Sequence, residues 1–401
     1  MKFTRLPLYA QYLLSIAGLL ILFLINNTLS DHPQLTTKVN SDYLVKSTIE
    51  NVIWGRLFTA NDEPILQIKS GDVVTIETIS HEGIMPDQGD TVEFFNAAGI
   101  EAADILPDQL AVKSQIERTA PGPHVVTGPV YINDAEPGDV LEIKTINIDY
   151  RVPYGVISNR HGKGALPEEY PLNDADIYTK VIPLDTEHNI GIFRPANGRP
   201  DIALPLEPFM GIMGVAPADP EAAINSIPPG NYGGNIDIKH LTVGSSLYLP
   251  VQVPGALFYA GDPHCAQGNG EVALTAIECS LTPTFELIVH KNYPLESPMG
   301  ETTDAWLAIG LDRDLDEAMK QAVRESLRIM DEEYGMTKED ALLFGSAAID
   351  YEVSQVVDIV KGIHGVIPKD LLRSLEPEAE NQASVCACLD LLLEKLKALT
   401  K

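Results

Sequence analysis

Ile65–Thr78 reads ILQIKSGDVVTIET, two alternating apolar runs on either side of a Gly-Asp pair. Alternation of period two is the pattern of a strand with one buried face, and a Gly-Asp pair supplies the backbone freedom that a reversal needs. The rhythm returns in Asn133–Thr145, NDAEPGDVLEIKT, and more loosely in Leu241–Tyr259, LTVGSSLYLPVQVPGALFY. From Trp54 to Val289 the chain is rich in β-branched residues with frequent Gly and Pro turns. The prediction is a mainly β fold, sandwich- or barrel-like with internal hairpin repetition.

From Leu311 the period changes. Asp314–Tyr334 sets Leu315, Ala318, Met319, Ala322, Val323, Leu327 and Met330 at helical spacing, and Gly335 ends it. Thr337 followed by Asp340 predicts a capped second helix through Ile349. Leu389, Leu392, Leu393, Leu396 and Leu399 mark a C-terminal amphipathic helix. The expected organisation is a leader over 1–30, a linker over 31–50, a β-rich catalytic domain over 51–295, a C-terminal α+β portion over 296–375, and the amphipathic helix over 376–401. Val152–Arg199, with Pro153, Gly155, Gly162, Gly164 and Pro167, is expected to be a long irregular stretch, either a lid or wall over a site or a plain surface excursion.

Lys2 and Arg5 precede an apolar stretch from Tyr12 to Ile25, the arrangement of a secretory signal. Pro7 to Ile25 could also span as an uncleaved anchor. The expected location is therefore outside the cytoplasm, periplasmic or extracellular, with membrane contact only through this segment. The 28 basic against 57 acidic residues give a net charge of −29. That field repels phosphate backbones and excludes nucleic acid as an expected partner. Cys265, Cys279, Cys386 and Cys388 are too few for a disulfide framework in 401 residues and read as buried free thiols.

The densest polar constellation is Gly233–Glu278. Asp237 follows a Gly-Gly-Asn turn, Asp262 and His264 flank Pro263 after an apolar strand, and Glu271 sits in a Gly-Asn-Gly turn opening another. Carboxylate and imidazole groups delivered by adjacent turns can meet at the end of a sheet, where a divalent metal holds them. Asp237, Asp262 and His264 are expected as metal ligands and Glu271 as general acid/base. His81 and His124 are candidate companions from earlier segments, His81 as a further ligand and His124 as a catalytic group; each also reads as a satisfied structural histidine. Asn235 and Gln267 are expected to contact substrate. Zinc is the first expectation for the metal, with calcium open at an all-oxygen subsite. Regular alternation would put Glu271 and Glu278 on opposite faces, so only Glu271 is placed in the set. His240 reads as a further candidate or an exposed strand-edge residue; His32, His161, His188 and His364 have weaker contexts.

Several segments together resemble the acetamidase/formamidase family. They are HVVTGPVYINDAEPGDVLEIK, LPLEPFMGIMGVAPA, PPGNYGGNID and GSSLYLPVQVPGALFYAGDPHCAQGNGE followed by TAIE. DLDEAMKQAVRESL, EEYGMTKEDA and VKGIHGVIPKDLL continue the likeness, which runs from about Ile53 to Leu372. The resemblance implies hydrolysis of a small non-peptide carboxamide to the acid and ammonia, a β-rich fold with an α+β supplement, and a homo-oligomer. Asp237, Asp262, His264 and Glu271 fall in the family's site motifs, and His124 in its H-x-x-TGP segment. The leader and the tail beyond Leu375 depart from the family. They leave open an exported hydrolase of a larger amide, ester or cyclic amide, and an exported binding protein without activity.

Overall fold

The computed structural model describes residues 41–375, apart from Asp174 and Ile224. The expected leader, the amphipathic helix over 376–401 and the cysteines at 386 and 388 lie outside the described residues.

Two sheets carry the fold, as the alternating segments predict. One has nine strands in the order Tyr43–Val45, Val73–Ile76, Leu281–His290, Val140–Tyr150, Ser246–Pro250, Met299–Glu301, Ala305–Asp312, Lys361–Pro368 and Asp350–Gln355. The other has eleven. Its path runs Ile202–Pro205, Ile190–Phe193, Ile177–Asp185, Tyr154–Arg160, Ile277–Glu278, Phe258–Ala266, Phe209–Gly214 and Gly233–Asn235. Val125–Ile132 joins it at Phe258–Ala266 and pairs with Val52–Trp54 and Leu66–Ile68. The apolar faces of both sheets meet in one core, where Phe258 and Phe285 touch across the layers with ring centroids 5.5 Å apart. Burying a side chain of that size contributes about 1.5–3 kcal/mol.

The three repeated segments are not hairpins. Leu66–Ile68 belongs to the eleven-stranded sheet and Val73–Ile76 to the nine-stranded one. Val125–Ile132 and Val140–Tyr150 are split in the same way, and so are Ser246–Pro250 and Phe258–Ala266. Each repeat is a corner that carries the chain from one layer to the other. The first two corners share a device. Gly71 and Gly138 take φ values of 88° and 97°. The carboxylates of Asp72 and Asp139 accept from the backbone N–H three residues back, at Lys69 and Glu136, each at 2.8 Å.

The C-terminal portion continues the nine-stranded sheet, so no break in the fold occurs near 295. Leu315–Tyr334 is the predicted helix. Asp314 caps its N-terminus by accepting from the N–H groups of Asp316 and Glu317, and Gly335 ends it in the left-handed conformation. Lys338–Ala348 follows, capped by Thr337. At the other end Tyr43–Val45 pairs with Val73–Ile76, so the sheet reaches into the stretch expected to be linker. Val152–Arg199 is less irregular than its Gly and Pro content predicts. Tyr154–Arg160, Ile177–Asp185 and Ile190–Phe193 are strands, because YGVISNR and IYTKVIPLD can pair despite the flanking turns. Cys265 and Cys279, expected as free thiols, form a disulfide with Cα atoms 5.8 Å apart. Phe258–Ala266 and Ile277–Glu278 are neighbouring strands, with Cys279 N–H bonded to Pro263 C=O; that pairing is invisible in the cysteine spacing.

Candidate active site

Segments distant in sequence end at one place. His81 and Glu82 come from the loop after Val73–Ile76, and His124 immediately precedes Val125–Ile132. Asp237 follows Gly233–Asn235, while Asp262 and His264 lie within Phe258–Ala266. All are buried; Asp237 and His264 are 1 % exposed and Asp262 3 %. Asp262 is the junction. Its carboxylate lies 3.5 Å from His81 Nδ1, 3.6 Å from His124 Nε2 and 3.2 Å from His264 Nε2. His264 Nδ1 is 3.7 Å from Asp237 Oδ1. Gly211, on Phe209–Gly214, makes this convergence sterically possible. A Cβ there would stand 2.5 Å from Asp237 Oδ1 and 2.7 Å from both Asp262 Oδ2 and His264 Cε1.

Glu278 belongs to this cluster, against the expectation from strand parity. Its Oε1 is 3.0 Å from His264 Nε2, and its Oε2 4.0 Å from His81 Nδ1. The parity argument needs a regular strand from 271 to 278. Instead Glu271 and Leu274 have φ of 46° and 123°, and only Ile277–Glu278 is strand. Glu271 also reaches the site, forming a triad of ligand atoms with His264 and Glu278 and another with Asp237 and Asp358. Asp358 lies outside the expected set, although a lone acid in the apolar run VVDIV is a signal. Glu82 was missed as well. It receives Arg160 Nη1 at 2.7 Å and Ser158 Oγ at 2.9 Å, and stands 3.6 Å from His81 Nε2.

Burial and crowding set the charges. Burial, then the neighbouring carboxylates, hold Asp237 and Glu271 well above the usual carboxylate range. Burial pushes Glu278 and Asp358 each up to about 7. Burial also works against an ionised Asp262, but His124 and His264 outweigh it and hold this group well below its ordinary value. His264 and His81 are raised, because the facing carboxylates overcome a burial effect that lowers them. His124 is pushed down to about 4 by burial, so its ring is neutral at pH 7. Its Nδ1 lies 2.9 Å from Ser226 Oγ, which leaves Nε2 turned to Asp262.

Several of these buried atoms lack a hydrogen-bond partner among the described residues. They include both carboxylate oxygens of Asp237, Oδ1 of Asp262, both ring nitrogens of His264, Nδ1 of His81, Oε2 of Glu278 and Oδ2 of Asp358. Buried polar atoms ordinarily find partners. Here the ligand atoms converge in triads within 4.8 Å of one another: His81–His124–Asp262, Asp237–Asp262–His264, His264–Glu271–Glu278 and Asp237–Glu271–Asp358. Mixed imidazole and carboxylate donors, close together yet without formed hydrogen bonds among the described residues, fit a divalent cation.

A cavity of about 420 Å³ opens onto His81, His124, Asp262, Glu271, Glu278 and Asp358. Asn235 also lines it, with Oδ1 unpartnered among the described residues. Gly162, Lys163, Gly164 and Pro167 form part of its wall, the role expected of the 152–199 region. Gln267 does not line this cavity. Its amide nitrogen bonds to the carbonyls of Asp237 and Ser354 at 2.9 and 3.2 Å. His161 and His188 are exposed, and neither His240 nor His364 faces the cavity.

A family model described as the acetamidase/formamidase family matches residues 63–221 and 219–373. A curated relative from Schizosaccharomyces pombe is 29% identical over 234 residues, 44% of this chain and 55% of that protein, so the match spans just over half of the relative's length. A formamidase of Methylophilus methylotrophus is 26% identical over 300 residues, 59% of this chain and 74% of the relative. The crystal structure of an acetamidase/formamidase from Thermoanaerobacter tengcongensis is 26% identical with a TM-score of 0.67, covering 83% of this chain and 97% of that one.

Proposed function

The chain belongs to the acetamidase/formamidase family, and on that premise we propose that it is a metal-dependent hydrolase of small carboxamides, releasing ammonia and a carboxylate. The observation that carries this reading is the buried Asp262 junction of unpartnered imidazole and carboxylate atoms at the wall of a 420 Å³ cavity. Amide resonance makes the carbonyl a poor electrophile, so water needs activation on both sides of the reaction. A divalent ion held by Asp262 with His81, His264 and Asp237 would supply Lewis-acid polarisation and a lowered water pKa, and zinc suits these mixed donors; calcium at the all-oxygen triad Asp237–Glu271–Asp358 would instead make Glu271 a ligand.

The chain's own groups then have distinct tasks. Glu271, on the cavity wall beside His264 and Asp237, is assigned to take the proton of the attacking water and return it to the departing nitrogen. His124, neutral and anchored by Ser226, offers Nε2 towards Asp262 as a further donor or as a second proton acceptor. Asn235 Oδ1 accepts from the substrate's amide N–H. Gln267 acts through Asp237, whose carbonyl it holds.

Ammonia release from formamide and acetamide, measured before and after chelation, tests the reading. Turnover that survives complete metal removal overturns metal dependence, and no turnover of any amide or ester leaves the exported binding protein. The cavity favours a second reading beside the first. Its volume lies within the roughly 300–1,000 Å³ of sites for larger ligands, and a four-heavy-atom amide fills only part of it. Bulkier linear and cyclic amides belong in the same panel, and a higher kcat/KM for one of them would displace formamide as the substrate class.

Export completes the proposal. It is supported by the basic-then-apolar N-terminus and by the Cys265–Cys279 disulfide, a bond that persists in oxidising compartments. Cell fractionation tests it. A homo-oligomer is supported by an exposed apolar groove of about 770 Å³ that includes Leu166, Tyr170, Leu172, Tyr178 and Val272, and light scattering would test it.

A further inference from the structure

A second group of metal-ligating side chains lies outside the catalytic cavity. Glu352, on Asp350–Gln355, stands directly across the ladder from His364, on Lys361–Pro368. Its Oε2 is 3.4 Å from His364 Nε2 and 2.9 Å from His240 Nε2. The two imidazole rings are 5.3 Å apart, edge to face. The ligand atoms of all three residues lie within 4.8 Å of one another.

Two features separate this group from an ordinary ion pair. His364 is fully buried, yet neither ring nitrogen has a hydrogen-bond partner among the described residues. One carboxylate oxygen faces two imidazoles and also receives Asn269 Nδ2 at 2.5 Å, more than a single pair requires. The side chains of His240 and Glu352 are 31% and 29% exposed, so an ion has an entry route and room for water ligands. Two imidazoles with one carboxylate select zinc-like transition metals over calcium or magnesium, which prefer all-oxygen shells.

The position gives the group a purpose. His240 is three residues after Asp237, and Asn269 is two before Glu271. The 267–271 loop is already fastened to the end of Asp350–Gln355. Gly270 N–H bonds to Ser354 C=O, Val356 N–H to Gly270 C=O, and Gln267 bridges Asp237 and Ser354. We propose that His240, Glu352 and His364 form a second, solvent-reachable site for a zinc-like divalent cation that clamps together the segments delivering Asp237, Glu271 and Asp358.

The test is a zinc count on the full chain. Protein stripped with chelator is dialysed against zinc, washed, and its metal measured per chain. Glu352→Gln, an isosteric change, and His240→Ala, at a third-exposed position, are each expected to hold one zinc fewer than wild type. Both are expected to lose part of the zinc-induced rise in melting temperature. Asp262→Asn, which disrupts the catalytic cluster, is expected to keep this equivalent. Equal zinc in wild type and in both variants, with circular dichroism showing them folded, overturns the proposal. So does loss of every equivalent in Asp262→Asn, which would mean a single shared site.

Discussion

Three carboxylates of the site sit on backbone that side chains usually avoid. Asp237, Asp262 and Glu271 have φ values of 54°, 51° and 46°. Each such residue costs about 1 kcal/mol or more, and strain of this kind gathers at functional sites. Here it turns acids from a turn, a strand and a loop towards one point. Replacing Glu271 by Gln preserves volume and removes the proton-carrying oxygen. The expected result is a loss of about 10²–10⁴-fold in kcat with bound metal retained; metal lost together with activity would make Glu271 a ligand instead. Gly211→Ala tests the geometry without replacing a titrating group. Its Cβ would press on Asp237, Asp262 and His264, so it should destabilise by about 1–3 kcal/mol in denaturant titrations and lower metal content. Unchanged metal and activity in that variant would show that the carboxylates need not approach so closely. Sequence reading found most of these residues because acids and histidines in Gly-rich turns stand out. Alternation misplaces Glu278 because it does not run through 271–278, where the backbone is not extended.

At the scale of the element, the unit of this fold is a strand, a corner and a strand in the opposite layer. Alternation says that a strand has one apolar face. It does not say whether the next strand returns beside it or crosses the core, because both solutions bury that face. The disulfide is likewise an element-scale feature, joining neighbouring strands across 14 positions. Closing a loop of about that length contributes about 3 kcal/mol in the chain-entropy account. Cys279→Ser, or reduction of the native protein, should therefore lower the melting temperature measurably. An unchanged melt under reducing conditions would mean that the bond adds nothing to stability.

At the scale of the whole molecule, the buried cluster ties stability to pH. Glu278 and Asp358 keep their protons up to about 7 when folded, whereas unfolded carboxyls release them near pH 4. Their contribution is full below that lower value and is lost as pH rises through about 7. His81 and His264, also raised, act in the same direction. His124 opposes them: lowered to about 4, it loses stability as pH falls from about 6.5 towards 4. Between pH 6 and 8 the raised groups outnumber it. Chelator-treated protein should therefore melt at a lower temperature at pH 8 than at pH 6, and added zinc should close the gap. A flat profile would mean that the cluster does not carry these protons.

The sequence by itself determined the mainly β character, the two C-terminal helices with their caps, and most of the groups available for chemistry. These are local properties: periodicity, capping chemistry and residue type at a turn. Only the tertiary structure decided that the Gly-Asp repeats are corners between layers, that 299–368 extends the first sheet, and that Cys265 meets Cys279. It also decided that Glu82 stands beside His81, Glu278 beside His264 and Asp358 with Asp237 and Glu271, and that His240 and His364 share Glu352. The physical reason is the same in each case. Strand pairing joins positions scores of residues apart, and local alternation specifies the face a side chain prefers but not the strand that will lie against it.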